Sequence, residues 1–405
     1  MSGADTDERP PLDGIRVVDL SQVIAGPYCT QMLADMGADV AKIERPDTGD
    51  DLRTVGRYKG RDDHEDYFNA NNRSKRSVAL NLKDAGDRAV AHELVKLADV
   101  LVENFAPGTA ARIGMGWDDL RPLNDKLVYC SLSGYGQTGP YRDRYAMDPM
   151  IQAVTGVMSV TGDPSGPPMQ IGAPLGDVLA GMFAAFSIVT SLRAVERGEG
   201  GRRIDVSMQD AMLAALGPRL GEPLQAGVNP GRFENGNPLR VPANTYLTKD
   251  GQYLSIIAQN DRQWPQFCRA LGFPEWLEDE RFETTAKRVN HRDELDGSAA
   301  KRIAEHDLAE WVERFSAERM PYAPVNDYLG ALANEQVEHR GLLRTLDHPH
   351  SGPIQVVGPP WSIEGGATAE MRPPPMLGQH TDDLLADWLG WDADAAEKFR
   401  AEAAE

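Results

Sequence analysis

From Ile15 onward, short β-branched runs alternate with helical stretches, and no other feature of the sequence constrains the fold as tightly. IRVVDL (15–20), DVAKIER (39–45), SVALNL (77–82), ADVLVENF (98–105) and LVYCSLSGYG (127–136) read as strands, and the stretches 26–36 and 84–97 between them read as helices. That rhythm predicts an α/β fold, a parallel sheet joined by crossover helices. Helices over 148–158, 177–197 and 209–216 flank one more strand, RRIDVSM (202–208).

The pattern then changes. Residues 218–242 carry five prolines and four glycines, which predicts a linker. In TYLTKDGQYLSI (245–256) an Asp250-Gly251 pair between two β-rich runs predicts a hairpin. With helices near 261–271, 279–294 and 308–318, it predicts a second, smaller α+β domain. The expected partition is a disordered tail over 1–10, a large domain over 11–217, a linker over 218–242, and a small domain over 243–330. A second linker spans 331–345, and 346–405 completes the large domain with a few strands and a final helix over 381–389.

Composition narrows the function. Over 405 residues, 41% hydrophobic and 26% charged content suits globular cores rather than disorder. A formal charge of −20 opposes nonspecific binding to nucleic acid or anionic lipid, so an anionic ligand must meet a local basic pocket. Basic residues comprise 32 arginines and only ten lysines; a salt-loving host and a GC-rich genome both fit. Cys29, Cys130 and Cys268 are widely spaced and lack clustered histidines, which points to a reducing cytoplasm with neither a disulfide framework nor a metal site. The apolar stretch 178–195 contains Arg193 and small polar residues and reads as a core helix rather than a membrane span.

Three motifs admit two readings each. Gly134, Gly136 and Gly139 fit GxGxxG after a strand, but Pro140 follows and no amphipathic helix opens there, so a turn leaving the sheet is favoured over a dinucleotide loop. Asp177 in IGAPLGDVLAG begins a long helix, where exposed amides and the helix dipole favour an ionised carboxylate; it is a helix cap or a nucleophile. Arg45, Arg73, Lys75, Arg76, Lys83 and Arg112 fall near strand ends, where open α/β sheets bind ligands, so the NRSKR run is a phosphate cradle or a solvated loop.

Taken together, PLDGIRVVDLSQVIAGPYCTQMLADMGADVAKIERPDTGD, NRSKRSVALNLK, ADVLVENFAPGTAARIGMGWDDL, GYGQTGPYRDR, QAVTGVMSVTG and the segment LGDVLAGMFAAFSIVTSLRAVERGEGGRRIDVSMQDA resemble the family III CoA-transferases. This group includes formyl-CoA, carnitine and succinyl-CoA-dependent dicarboxylate CoA-transferases. The resemblance implies a Rossmann-like large domain, an interlocked homodimer, and an acyl-CoA thioester and a small carboxylic acid as substrates, with no permanently bound cofactor and no metal.

It also implies roles. Asp177 matches the catalytic aspartate, which forms an acyl anhydride and then an aspartyl-CoA thioester. Arg45 and Arg112 match phosphate contacts, Leu80 to Lys83 with Asn104 and Phe105 match the adenine and ribose pocket, and Ala25 and Asp148 match positions along the pantetheine. Two departures stand out: Ile24 replaces the glutamine of the formyl-CoA subgroup, and ENGNP (234–238) replaces its four-glycine run. Formyl or oxalyl transfer is therefore disfavoured, and transfer from succinyl-CoA to mesaconate, itaconate, citramalate or malate is expected. Arg232, Arg240 or Lys249 would hold the distal carboxylate. Racemases of the same fold place a histidine where Met147 stands here, which disfavours that alternative. A CoA-binding protein without turnover is the other.

Overall fold

The computed structural model describes residues 9–55, 65–258, 260–364, 367 and 369–404, so most of the expected tail lies outside the described residues. Two compact units emerge, the first comprising 1–156, 171–221 and 338–405 and the second 157–170 and 222–337. Residues 157–170, expected with the large domain, cluster instead with the second unit.

The first unit is built on six strands: β1 (Arg16–Asp19), β2 (Asp39–Glu44), β3 (Arg76–Ala79), β4 (Val100–Glu103), β5 (Val128–Ser133) and β6 (Arg202–Ser207). Every pairing is parallel, in the order β3-β2-β1-β4-β5-β6. The principal helices of this part are α1 (Ala25–Asp35), α2 (Ala85–Lys96), α3 (Asp148–Val154), α4 (Leu175–Glu196) and α5 (Met208–Ala215). The continuous apolar runs are explained by coverage of both faces. Val17, Val40, Val100 and Val102 pack in one cluster with α1 and α4, while Val18, Ala41, Leu101 and Tyr129 pack in another with α2.

Helix α4 is the one described helix long and apolar enough to cross a membrane. Its Ala180, Ala184, Ile188 and Leu192 are buried in the core. On another face Met182, Phe183, Phe186 and Val189 remain exposed.

In the second unit, β7 (Ala243–Leu247), β8 (Tyr253–Ile257) and β9 (Tyr322–Pro324) form an antiparallel sheet, and Gly251 takes a φ of 78° in the β7–β8 turn. Helices α6 (Trp264–Leu271), α7 (Arg292–Ile303) and α8 (Leu308–Ala317) supply an aromatic core around Trp264, Phe267, Trp311 and Phe315. The segments expected as linkers carry structure of their own. Residues 218–242 contain a helix over Gly221–Ala226, and 331–345 contain another over Glu335–His339 before a strand begins.

The chain closes in the first unit with the antiparallel pair β10 (Leu343–His348) and β11 (Gly352–Val357), then α9 (Thr381–Leu389) and α10 (Ala393–Ala404). The sequence reading ended the protein's helices at α9. Helix α10 packs on α2, where a Cβ on Gly86 would lie 2.5 Å from the Arg400 carbonyl oxygen.

Candidate active site

Strand order reverses about β1, so connections leave to opposite sides and open a crevice at the carboxyl ends of β1 and β4. A cavity of about 520 Å³ occupies it. Leu20 and Gln22 line it from β1, Arg45 from β2, Leu80 and Lys83 from β3, and Phe105, Thr109 and Ile113 from β4. Arg45, Leu80, Lys83 and Phe105, singled out from the sequence, thus meet around one space.

Arg45 is held in place by the loop that follows it. Its Nε and Nη2 donate to the Gly49 carbonyl at 3.1 and 2.9 Å, and Asp51 pairs with the same guanidinium. Arg112 stands at the rim, where its Nη2 donates 2.6 Å to the hydroxyl of cavity-lining Thr109. Sequence reasoning missed its neighbour. A Cβ on Gly108, whose φ is 81°, would lie 3.1 Å from Arg142 Nη2 and 3.6 Å from Arg112 Nη1. Two guanidinium groups therefore converge over a residue with no side chain. The available signal was the YRDR turn after β5, which the sheet sets beside the β4 loop.

Asn104 reaches this region through the backbone of Gln22: its Oδ1 accepts from the Gln22 N–H at 2.8 Å and its Nδ2 donates to the Gln22 carbonyl at 2.7 Å. Ala25 and Asp148 do not line the cavity; both belong to the surroundings of α4 described below.

The NRSKR run is neither a phosphate cradle nor a solvated loop. Arg73, Lys75 and Arg76 are buried. Arg73 pairs with Asp35, Lys75 with Asp19 at 3.1 Å, and Arg76 with Asp39 and Asp387, both at 2.6 Å. Each cation leaves water only because a carboxylate remote in sequence meets it.

Asp177 lies in the first turn of α4. The amides expected to serve it are taken by Asp148, at the start of α3: its Oδ1 accepts from the Gly176 N–H at 2.6 Å and the Asp177 N–H at 3.4 Å. The Asp148 carboxylate is in turn bonded by Gln152 Nε2 at 2.6 Å. The expectation that the helix terminus keeps Asp177 readily ionised is therefore corrected. Burial, and then the nearby Asp148 charge, push its carboxyl up to about 7.

Both glycines of the Gly-Asp-x-x-x-Gly segment have packing reasons. A Cβ on Gly176 would lie 2.9 Å from Asp148 Oδ1, and one on Gly181 would lie 2.7 Å from the Ala25 carbonyl oxygen. The start of α1, reached directly from the cavity-lining Gln22, thus touches α4 one turn beyond Asp177. In the second unit, Arg232 donates to the carbonyls of Asp163 and Gly166 at 2.9 and 2.6 Å, so these carbonyls engage the guanidinium.

Known proteins resemble this chain along most of its length. A succinyl-CoA:glutarate CoA-transferase from Mus musculus is 36% identical over 396 residues, spanning 98% of this chain and 90% of the mouse protein. An acetyl-CoA:oxalate CoA-transferase from Acetobacter aceti is 38% identical over 364 residues, with 90% and 92% covered. Among solved structures, a CAIB/BAIF family protein from Brucella suis matches with a TM-score of 0.85 at 32% identity, over 94% of this chain and 100% of that one. The profile of CoA-transferase family III fits residues 12–381. With the family profile matched along nearly its whole length and relatives above 30% identity spanning it, the chain belongs to CoA-transferase family III.

Proposed function

We propose that this CoA-transferase moves CoA from succinyl-CoA to a small dicarboxylic acid by covalent catalysis on Asp177. One observation carries the mechanism: Asp177 is a half-desolvated carboxylate whose helix amides are already engaged by Asp148, which leaves its own oxygens free of that duty. In the proposed cycle the Asp177 carboxylate attacks the thioester carbonyl, expelling CoA thiolate and forming a mixed anhydride. Thiolate then attacks the aspartyl carbonyl, releases the donor acid as its carboxylate, and leaves an aspartyl-CoA thioester. The acceptor carboxylate attacks that thioester, and the thiolate freed attacks the acceptor's acyl carbon of the new anhydride. The new acyl-CoA departs, Asp177 is regenerated, and no net proton is exchanged.

The cavity suits the nucleotide end of CoA, with Leu80, Lys83 and Phe105 about the base and ribose and Arg45, Arg112 and Arg142 toward phosphates. Asn104 supports the Gln22 loop, Ala25 stands where that loop meets α4, and Asp148 sits beside the reacting end. A dicarboxylic acceptor is supported by the glutarate in the mouse relative's name, while the oxalate in the Acetobacter relative's name runs against the expectation that disfavoured oxalyl transfer. Mesaconate, itaconate, citramalate and malate stay in the set. The enzyme is read as a cytoplasmic homodimer, with the exposed Met182, Phe183, Phe186 and Val189 of α4 covered by the second copy.

Mass spectrometry of CoA esters after incubation with succinyl-CoA and an acid panel, beside Asp177→Ala, tests this reading. A new ester formed only by the intact enzyme is the expected result. Activity in Asp177→Ala, or products from monocarboxylates alone, would overturn the nucleophile or the acceptor class respectively.

A further inference from the structure

Between the cavity and α4 runs the segment Ser21–Ala25, and its backbone is gripped from several sides. Asp19 accepts the Ser21 N–H at 2.9 Å, and Lys42 Nζ donates to the Ser21 carbonyl at 2.7 Å. Asn104 takes both the N–H and the carbonyl of Gln22. Asp50 accepts the N–H of Val23 at 3.2 and 3.3 Å on its two oxygens. Val23 has a φ of 69°, the left-handed region that a β-branched residue strongly disfavours.

What holds that conformation is buried and charged. Asp50 and Lys42 are 1% and 0% exposed and pair at 3.0 Å, and Asp50 also accepts the Leu52 N–H at 3.0 Å. The Val23 side chain, by contrast, is 39% exposed, so packing around it does not impose the conformation. Gln22, on one side of Val23, lines the cavity; Ala25, on the other, places its carbonyl against Gly181. A backbone change at Val23 therefore alters the offset between the two halves of the site.

We propose that Asp50, anchored by Lys42, is a positioning residue for CoA transfer: it locks Val23 in a left-handed conformation and so sets the spacing between the CoA cavity and Asp177. The proposal rests on the reading of Asp177 as the nucleophile. Strain retained at a functional position is rational where a fixed geometry is needed, since misplacement by about 1 Å costs on the order of 10²-fold in rate.

The test compares the full-length wild type, Asp50→Asn and the Asp50→Asn/Val23→Gly double variant with succinyl-CoA and the acceptor that the acid panel identifies. Asp50→Asn keeps the shape but lacks the charge that binds Lys42. Its kcat should fall by about 10- to 100-fold, while KM for acyl-CoA changes by less than about threefold. Glycine adopts φ near +69° freely, so the double variant should regain about tenfold in kcat. Unchanged kcat in Asp50→Asn, a change confined to KM, or no recovery on adding Val23→Gly would each overturn the proposal.

Amide exchange provides an arm independent of turnover. Val23 N–H protection comparable to that of β1 in the wild type, faster in Asp50→Asn, is expected; exchange at the rate of an open loop in the wild type overturns the clamp even where Asp50→Asn does not fold. Failure of the nucleophile reading would register separately, as activity retained by Asp177→Ala.

Discussion

At the crevice beside β1 and β4, charge is presented to solvent: Lys83 and Arg112 are exposed, and Arg142 joins Arg112 over Gly108. At the start of α4, charge is withdrawn: Asp177 is half-buried, next to a second carboxylate, with the helix amides already engaged. In the proposed function the first arrangement spreads affinity over several cations, so losing one weakens binding without abolishing it. The second keeps a carboxylate poorly solvated, at the expense of stability, which is the state the proposed nucleophile requires. The difference teaches that, in the proposed function, binding and chemistry rest on separate groups and should break separately.

Asp177→Ala should break the chemical end most completely, lowering kcat by about 10⁴-fold or more, as loss of a covalent nucleophile does. Equilibrium binding of CoA, followed by calorimetry, should persist. Because the folded carboxyl titrates well above an ordinary aspartate, the unfolded state holds fewer protons between those two values, and stability falls as pH rises toward 7. Asp177→Asn removes that burden, so the inactive protein should melt higher than the wild type at pH 8. An equal or lower Tm would count against the burial argument.

Gly181→Ala attacks the junction between the two ends. Its methyl would stand 2.7 Å from a backbone oxygen that has no rotamer to change. Overpacking of this kind costs about 1–3 kcal/mol, measurable by denaturant unfolding, and activity should fall with it. At the cavity, Arg112→Gln and Arg142→Gln should each raise KM for acyl-CoA about tenfold with kcat nearly constant, since charge-assisted contacts contribute about 1.5–3 kcal/mol. A kcat effect without a KM effect would merge the two ends that the comparison separates.

The smallest effect is expected from Asp148→Asn. The amide keeps an oxygen for the Gly176 N–H but removes a negative charge beside Asp177. The acid limb of the pH–rate profile, expected near 7 in the wild type because activity requires the ionised form, should move to lower pH. A limb that stays in place would leave burial as the sole cause of the raised value.

What the sequence disclosed follows from what sequence patterns encode. Strands β1, β2, β4 and β5 were legible because burial on both faces demands runs such as VVDL and VLVE. Asp177 was legible as a helix-start acid, and its two glycines mark close approaches that leave a spacing signature. Side-chain partnerships remote in sequence were not legible. The NRSKR run is basic in any reading, yet its meaning lies in Asp35, Asp19, Asp39 and Asp387. The same holds for Asp148 taking the amides of α4, for Arg142 joining Arg112, and for Asp50 gripping Val23. Helix α10 went unread because its exposed, alanine- and glutamate-rich sequence carries little apolar periodicity, with Ala396 its one buried residue.

The buried pairs and the rim arginines also differ in what dissolved ions do to them. At physiological ionic strength screening extends over about 8 Å of water, and it reaches exposed cations while sparing charges enclosed by protein. The Lys42, Lys75 and Arg73 pairs are enclosed, so the cohesion they provide is nearly indifferent to electrolyte. The capture of a polyanionic substrate proposed for Arg112 and Arg142 would not be. Rising salinity should therefore starve this enzyme of substrate well before it loosens the fold, so that catalysis rather than denaturation should set the upper limit of its working salt concentration.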